Sequence, residues 1–162
     1  MMGTSMASRR LFCTFRLDGR LFGVDLLDVK EVVAESAPTP VPLAPDEVLG
    51  LVNIRGHVYL ALDLRQLLGM PAAEVAAGSR LVLFKPSVGP SFGVRVDEIA
   101  DIQAAEPGHI NPSRRADLPG DATGVGRVDL VDAVLQLADE LLVVLAPRRF
   151  LPVVERALAG TA

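Results

Sequence analysis

This chain starts over seventy residues after it begins, and that repetition constrains its fold more than any single motif. Leu21-Phe22-Gly23-Val24 returns as Ser91-Phe92-Gly93-Val94. The register then continues without a gap, Leu26, Val29 and Val32 falling on Val96, Ile99 and Ile102, and Glu31 on Asp101. Residues 10–15 likewise resemble residues 80–84. A shared period over such a span means duplicated structural units. Each copy holds about five short β-type runs punctuated by Gly and Pro, with little helix, which is the pattern of small β-barrels. The expectation is a mainly β fold made of two packed five-stranded barrels, 11–70 and 80–151. A disordered start (1–10) precedes them, and a C-terminal helix and tail (152–162) follow. Barrels of ~70 residues are marginal alone, so the two are expected to share a buried face.

Residues 11–17 and 20–26 are strand-like and joined by Asp18-Gly19, the strongest short hairpin signal. Over 25–35 the period changes: Leu26, Val29 and Val32-Val33 mark one face of a helix, with Asp28 and Glu31 off it. Pro38, Pro40, Pro42 and Pro45 then make an extended edge or loop. Segment 46–69 is the densest in signals. Asp46 and Glu47 suit a helical turn that Gly50 ends, and Leu51, Val52 and Ile54 read as a buried strand. Gly56 permits a tight turn. Val58, Leu60 and Leu62 alternate with Tyr59, Ala61 and Asp63 as in a half-buried strand. Asp63 is placed to cap a short helix over 64–68, which Gly69 stops. Arg55 is the oddity: a guanidinium between an apolar strand and a glycine turn, stiffly held on both sides and in want of a carboxylate.

Residues 71–79 form an Ala/Gly-rich connector before the second copy, which loosens after residue 103. Residues 104–120 read as loop, and 124–128 echo 50–54. Residues 141–151 echo 58–68, after extra residues around 130–139. Where the first copy has Asp63-Leu64-Arg65, the second has Ala146-Pro147-Arg148, so its helix lacks the aspartate cap. A terminal helix is expected over 152–159, with Pro152 at a permitted first position.

Half the residues are hydrophobic and the mean hydropathy is +0.37. The longest apolar runs, such as 141–146, are far short of the ~20 residues that span a bilayer. The surplus is expected to fill strands and partner-binding surface. A net charge of −4 with 4% aromatic residues argues against nucleic acid, which wants a cationic face and stacking platforms. A single cysteine excludes an intramolecular disulfide framework and suits the cytoplasm. Ser8-Arg9-Arg10 imitates a twin-arginine signal, but Arg16, Asp18 and Arg20 interrupt the apolar region that export requires.

Catalytic chemistry is not expected. His57 and His109 lack partners at ligand spacing, and Cys13 alternates with Leu11 and Phe15 as a small buried hydrophobe. Asp25 with Asp28, and Asp63 with Asp46, are helix-start and surface carboxylates. No nucleophile elbow, Walker loop or dinucleotide fingerprint occurs. No cofactor and no metal is expected.

The run Gly50-Leu51-Val52-Asn53-Ile54-Arg55-Gly56, followed by Leu60 to Gly69, resembles the asparagine-x-arginine-glycine signature of CheW-like coupling domains of bacterial chemotaxis. The resemblance covers residues 11 to about 102 well and the remainder loosely. It implies two five-stranded SH3-like subdomains and a cytoplasmic, non-enzymatic adaptor without direct membrane insertion. The implied partners are the cytoplasmic tip of a methyl-accepting chemoreceptor, docked between the barrels, and the regulatory domain of a CheA-like histidine kinase, met by one barrel end. The family's valine-x-glutamate-valine helix falls here on Val29-Lys30-Glu31-Val32. By resemblance, Glu31 pairs with Arg55 at the receptor-contacting groove, and Val29, Val32, Asn53, Gly56 and Val58 join the partner-binding surface.

Three other readings stay open from the residues: an ordinary solvated helix charge and turn arginine, a divergent adaptor that binds receptor without ordinary kinase contact, and a duplicated β-barrel that binds peptides of unrelated partners. Departures from the family are Leu60, where a proline is common, and the extra residues near 130–139, which either reshape a kinase contact or lengthen a loop.

Overall fold

Asp18 and Gly19 both take left-handed backbone, at φ 52° and 77°, as a two-residue type I′ turn requires. They join β1 (Arg10–Leu17) to β2 (Arg20–Asp25), with Leu17 opposite Arg20. The computed structural model describes residues 9–34, 37–71, 73–112 and 126–160. The expected disordered start lies outside these up to residue 8, but Arg10 already opens β1.

Segment 25–35 is not the expected helix. The Asp25 carboxylate accepts the Leu27 N–H at 2.9 Å and caps a single 3-10 turn, Leu26–Asp28. The chain then extends as β3 (Val29–Ala34), half-buried and exposed residues alternating. Three β-branched valines favour a strand, and over so short a run their spacing fits either period. Asp46-Glu47 form a single turn, closed by the Val48 N–H on the Pro45 carbonyl at 3.0 Å, that does not go on into a helix. β4 (Val48–Ile54) follows at once, with Gly50 at a bulge inside it at φ 141°. β5 (His57–Asp63) follows, and Asp63 caps α1 (Leu64–Leu67) by accepting the Arg65 N–H at 3.1 Å.

The second copy contributes β6 (Arg80–Phe84), β7 (Phe92–Val96), β8 (Glu98–Ile99) and β9 (Gln103–Ala105). β10 (Ile110–Pro112) lies within the expected loop, of which residues 113–120 fall outside the described ones. The supposed extra residues are β11 (Val131–Gln136), the hairpin partner of β12 (Leu141–Leu145). They are therefore the counterpart of β4, and not an insertion. α2 (Phe150–Gly160) begins earlier than expected, after a 3-10 turn opened by Pro147 that has no side-chain cap. Pro152 then sits in the first helical turn, where a missing N–H costs nothing.

One sheet runs β3-β6-β7-β5-β4, and the other β10-β11-β12-β2-β1-β8, with β9 also on β1. Position for position, β3-β6-β7-β5-β4 corresponds to β9-β1-β2-β12-β11. Each contains one parallel junction, β5 with β7 and β12 with β2. The duplication is therefore present, but its leading hairpins have changed places. β1–β2 completes the sheet of the second copy, and β6–β7 that of the first. The two sheets are not the contiguous segments 11–70 and 80–151. Three residues in a 3-10 turn link β2 to β3, and at that turn the chain passes from one sheet to the other.

Each sheet curls on a small core of its own. Val33 of β3 meets Val52, Tyr59, Ala61, Leu81 and Leu83 in one, and Phe12, Leu21, Ala105, Leu135 and Leu142 gather in the other. The largest core lies between the sheets and takes side chains from both, from α1 and from α2. There Phe84 packs on Phe92 at 5.0 Å and meets Phe150 edge-on at 6.1 Å. Arg65 adds a polar tie. Its Nε donates to Asp97 Oδ1 at 3.0 Å and its Nη2 to Oδ2, while the Asp18 N–H reaches the same carboxylate at 2.9 Å. Burial pushes the Asp97 carboxyl up, but Arg65 and the Asp18 amide outweigh it and hold it below its ordinary value.

Candidate functional site

The turn between β4 and β5 is also of type I′. Arg55 and Gly56 stand at φ 51° and 88°, with Ile54 opposite His57. Left-handed backbone is costly for a residue bearing a Cβ. Asn53 supports it: its side-chain Oδ1 accepts the Gly56 N–H at 2.8 Å. Arg55 is thus set at the tip of a stiff hairpin, where Nη2 donates to Oε2 of Glu31 on β3. The bond to Glu31, aided by that carboxylate's charge, raises the guanidinium above its ordinary pKa and keeps it cationic.

β3 and β4 are the two end strands of their sheet, so this ion pair crosses the seam at which the barrel closes. A second tie crosses nearby. Lys30 Nζ donates to the Tyr59 hydroxyl at 2.9 Å, with the ammonium 5.6 Å from the ring centroid. The pair remains open to water: the Arg55 side chain is 68% exposed and that of Glu31 29%. One bond to Glu31 uses one of the five N–H donors of a guanidinium, and the rest of the fork is presented outward.

Apolar surface adjoins it. Asn53 and Val58 face each other across the hairpin, as do Leu51 and Leu60, which puts all four on the outer face. Val58 is 52% exposed, and Leu51 and Val32 are uncovered as well. The seven residues expected at a partner surface therefore divide by role. Glu31 and Arg55 are joined, Asn53 and Gly56 build the turn, Val32 and Val58 are open, and Val29 packs largely against the shared core. The alternation expected of β5 is shifted, because both of its faces are covered except near the turn. Tyr59 and Ala61 are buried inside the barrel, and Leu62 lies in the shared core. Lys30 and Tyr59 escaped the sequence reading. The signal was available, since Tyr59 is the only tyrosine and a buried hydroxyl needs a partner.

On another side, a charged cleft of about 520 Å³ lies where the two sheets meet, between Arg10, Asp25, Asp28 and Arg148. Two ion pairs lie within it, Arg10 with Asp25 at 3.0 Å and Arg148 with Asp28 at 3.7 Å. Burial raises the Asp28 carboxyl even against Arg148. His57 and His109 are exposed. The Cys13 thiol is buried, and burial pushes its pKa up. Among the described residues no three His, Cys, Asp or Glu side chains gather as a metal site.

The CheW-like domain pattern matches residues 11–155, a span that takes in both sheets and the start of α2. The chain belongs to the CheW-like domain family. A chemotaxis protein CheW of Rhizobium meliloti (strain 1021) is 32% identical over 104 residues, 64% of this chain and 66% of that protein. That match spans just under two thirds of the relative. A chemotaxis protein CheW of Treponema pallidum (strain Nichols) is 25% identical over 135 residues, 82% of this chain and 76% of that protein. The crystal structure of scaffolding protein TtCheW from Thermoanaerobacter tengcongensis covers 84% of this chain and 83% of its own, with a TM-score of 0.72 and 23% identity. It shares the fold. Within this CheW-like frame, Leu60 donates its N–H to the Ser91 carbonyl at 2.9 Å, a bond that a proline there cannot make.

Proposed function

We propose that this CheW-like chain is a non-catalytic coupling adaptor, joining the cytoplasmic tip of a chemoreceptor to the regulatory domain of a CheA-like histidine kinase. Membership of the family and the chemotaxis relatives support the class of function. The observation that carries the site is the Arg55 guanidinium, pinned by Glu31 across the barrel seam with the rest of its fork turned to solvent. An exposed ion pair adds little to stability, so the fold does not require a strained arginine at this turn. A planar fork of donors on a hairpin that also exposes Val58 and Leu51, opposite a strand that exposes Val32, suits a partner helix that offers an acceptor next to apolar side chains. Val29, Asn53 and Gly56 support this surface from beneath or within the turn. The kinase is assigned to a different face. No helix among the described residues is long and apolar enough to cross a membrane, and the adaptor works in the cytoplasm through its partners.

The test measures binding of a receptor cytoplasmic fragment and of a kinase regulatory domain to Arg55→Ala, Arg55→Lys and Glu31→Ala. All three keep a near-normal Tm, while receptor affinity falls at least several-fold and kinase affinity falls less. Unchanged receptor affinity in folded Arg55→Ala protein would overturn the assignment.

A further inference from the structure

Leu43 is 97% exposed and stands at φ 64°. The Ala44 N–H bonds to the Val41 carbonyl at 3.3 Å, making 41–44 a β-turn with Pro42 second and Leu43 third. With that φ it is a type II turn, whose third position favours Gly or Asn. A leucine there strains the backbone and leaves its whole side chain in water. Just upstream, Ala37 and Pro38 line an open, mostly apolar cleft of about 540 Å³ together with Val75, Ala76 and Ala77. The knob and the cleft are held in fixed relation, because Thr39 and Leu51 exchange two backbone bonds of 2.8 Å. Five residues reach at most about 18 Å, and the exposure of Leu43 means that it does not enter its own chain's cleft. Charge is arranged in the same sense. Exposed Asp46 follows the knob, while Arg80 rims the cleft, its described bond going to the Ser79 carbonyl at 2.8 Å.

We infer that this face receives a second copy of the chain about a two-fold axis, each Leu43 seated in the other copy's cleft with Asp46 facing Arg80. Under two-fold symmetry a knob that enters a cleft is matched by its reciprocal, so the contact forms twice and closes at a dimer. The surface is small, and the dimer is accordingly weak. This inference does not depend on the adaptor reading, because the seam at Arg55 takes no part in it.

Sedimentation equilibrium of the full chain over a wide concentration range tests it. The average mass should rise toward twice that of the chain and stop there. Leu43→Asn suits the turn, so it should keep or raise Tm while the dimer dissociation constant rises about tenfold or more. Val75→Asp should do the same through the cleft. Mixed in equal amounts, the two variants retain one intact knob and one intact cleft, and should recover part of the association. The inference fails if the wild-type chain stays monomeric or assembles beyond a dimer. It also fails if Leu43→Asn dimerises like wild type, or if the mixture associates no more than its components.

Discussion

Replacing Gly50 by alanine should be among the most damaging single-methyl changes in this protein. A Cβ at Gly50 would lie 2.2 Å from the Thr39 carbonyl oxygen and 2.7 Å from its carbon, both rigid backbone. The backbone stands at φ 141°, a region almost confined to glycine, where a side chain costs about 1–3 kcal/mol. Relief of the clash requires Thr39 to withdraw, which breaks both Thr39–Leu51 bonds of 2.8 Å, at about 0.5–1.5 kcal/mol each. The total is about 2–6 kcal/mol. Urea unfolding reads this as a lower midpoint with an unchanged slope, and the Thr39 and Leu51 amides should exchange faster in the variant. Gly108→Ala is the control: nothing lies within 4 Å of a Cβ there, and the change should stay within about 0.5 kcal/mol. A glycine that only ended a helical turn would cost about 1 kcal/mol on replacement and leave the Thr39 amide alone. If Gly50→Ala unfolds within about 0.5 kcal/mol of wild type, the bulge and its bridge to Thr39 are refuted.

Phe150→Ala removes a fully buried ring from the core shared by both sheets. It should cost about 3–5 kcal/mol while unfolding remains a single transition; two separate transitions would mean that the sheets are independent. Asp97 is a carboxylate whose folded pKa is lowered, so it contributes stability above the unfolded value near 3.9 and loses it as pH falls through the folded value. Asp97→Asn should therefore cost about 1–3 kcal/mol at neutral pH, partial exposure discounted. It should also flatten the acid limb of stability against pH, and an unchanged acid limb would contradict the assignment.

How much of this was legible in the sequence depended on the range over which each signal acts. Short-range chemistry was read well. Asp18-Gly19 makes its hairpin, Asp63 caps α1, and Arg55 has the carboxylate that its position called for. The repeat revealed two similar units but not their partners, because strand pairing depends on which faces meet in space. That is why the exchange of hairpins had no signature. Segment 25–35 misled because valines at short spacing satisfy a helix and a strand alike, and only pairing with β6 decides between them. β11 was mistaken for an insertion because residues 124–128 imitate residues 50–54, which sets Ile54 at the end of β4 against Val128, although β11 ends only at Gln136. At the site, Glu31 and Arg55 were found through the family motif. Lys30 and Tyr59 were not, since their contact joins β3 to β5 across a closed barrel.

The exchanged hairpins also govern how the site is held. Glu31 rides on β3, whose strand neighbour is β6. Arg55 rides on a hairpin whose other neighbour is β7. Both halves of the ion pair, although coded by the first copy, are therefore positioned by a hairpin from the second. That hairpin places Val82, Phe84, Phe92 and Val94 in the shared core, where Phe84 bears on Phe150 from α2 and pairs through its backbone with Val29, two residues before Glu31. A short chain of contacts thus runs from the C-terminal helix to the seam. Loosening the shared core should therefore reach β3, and its spacing from the Arg55 turn, through β6. Geometry at the exposed guanidinium is accordingly set by buried packing, and the surface proposed for recognition is only as rigid as the joint between the two sheets.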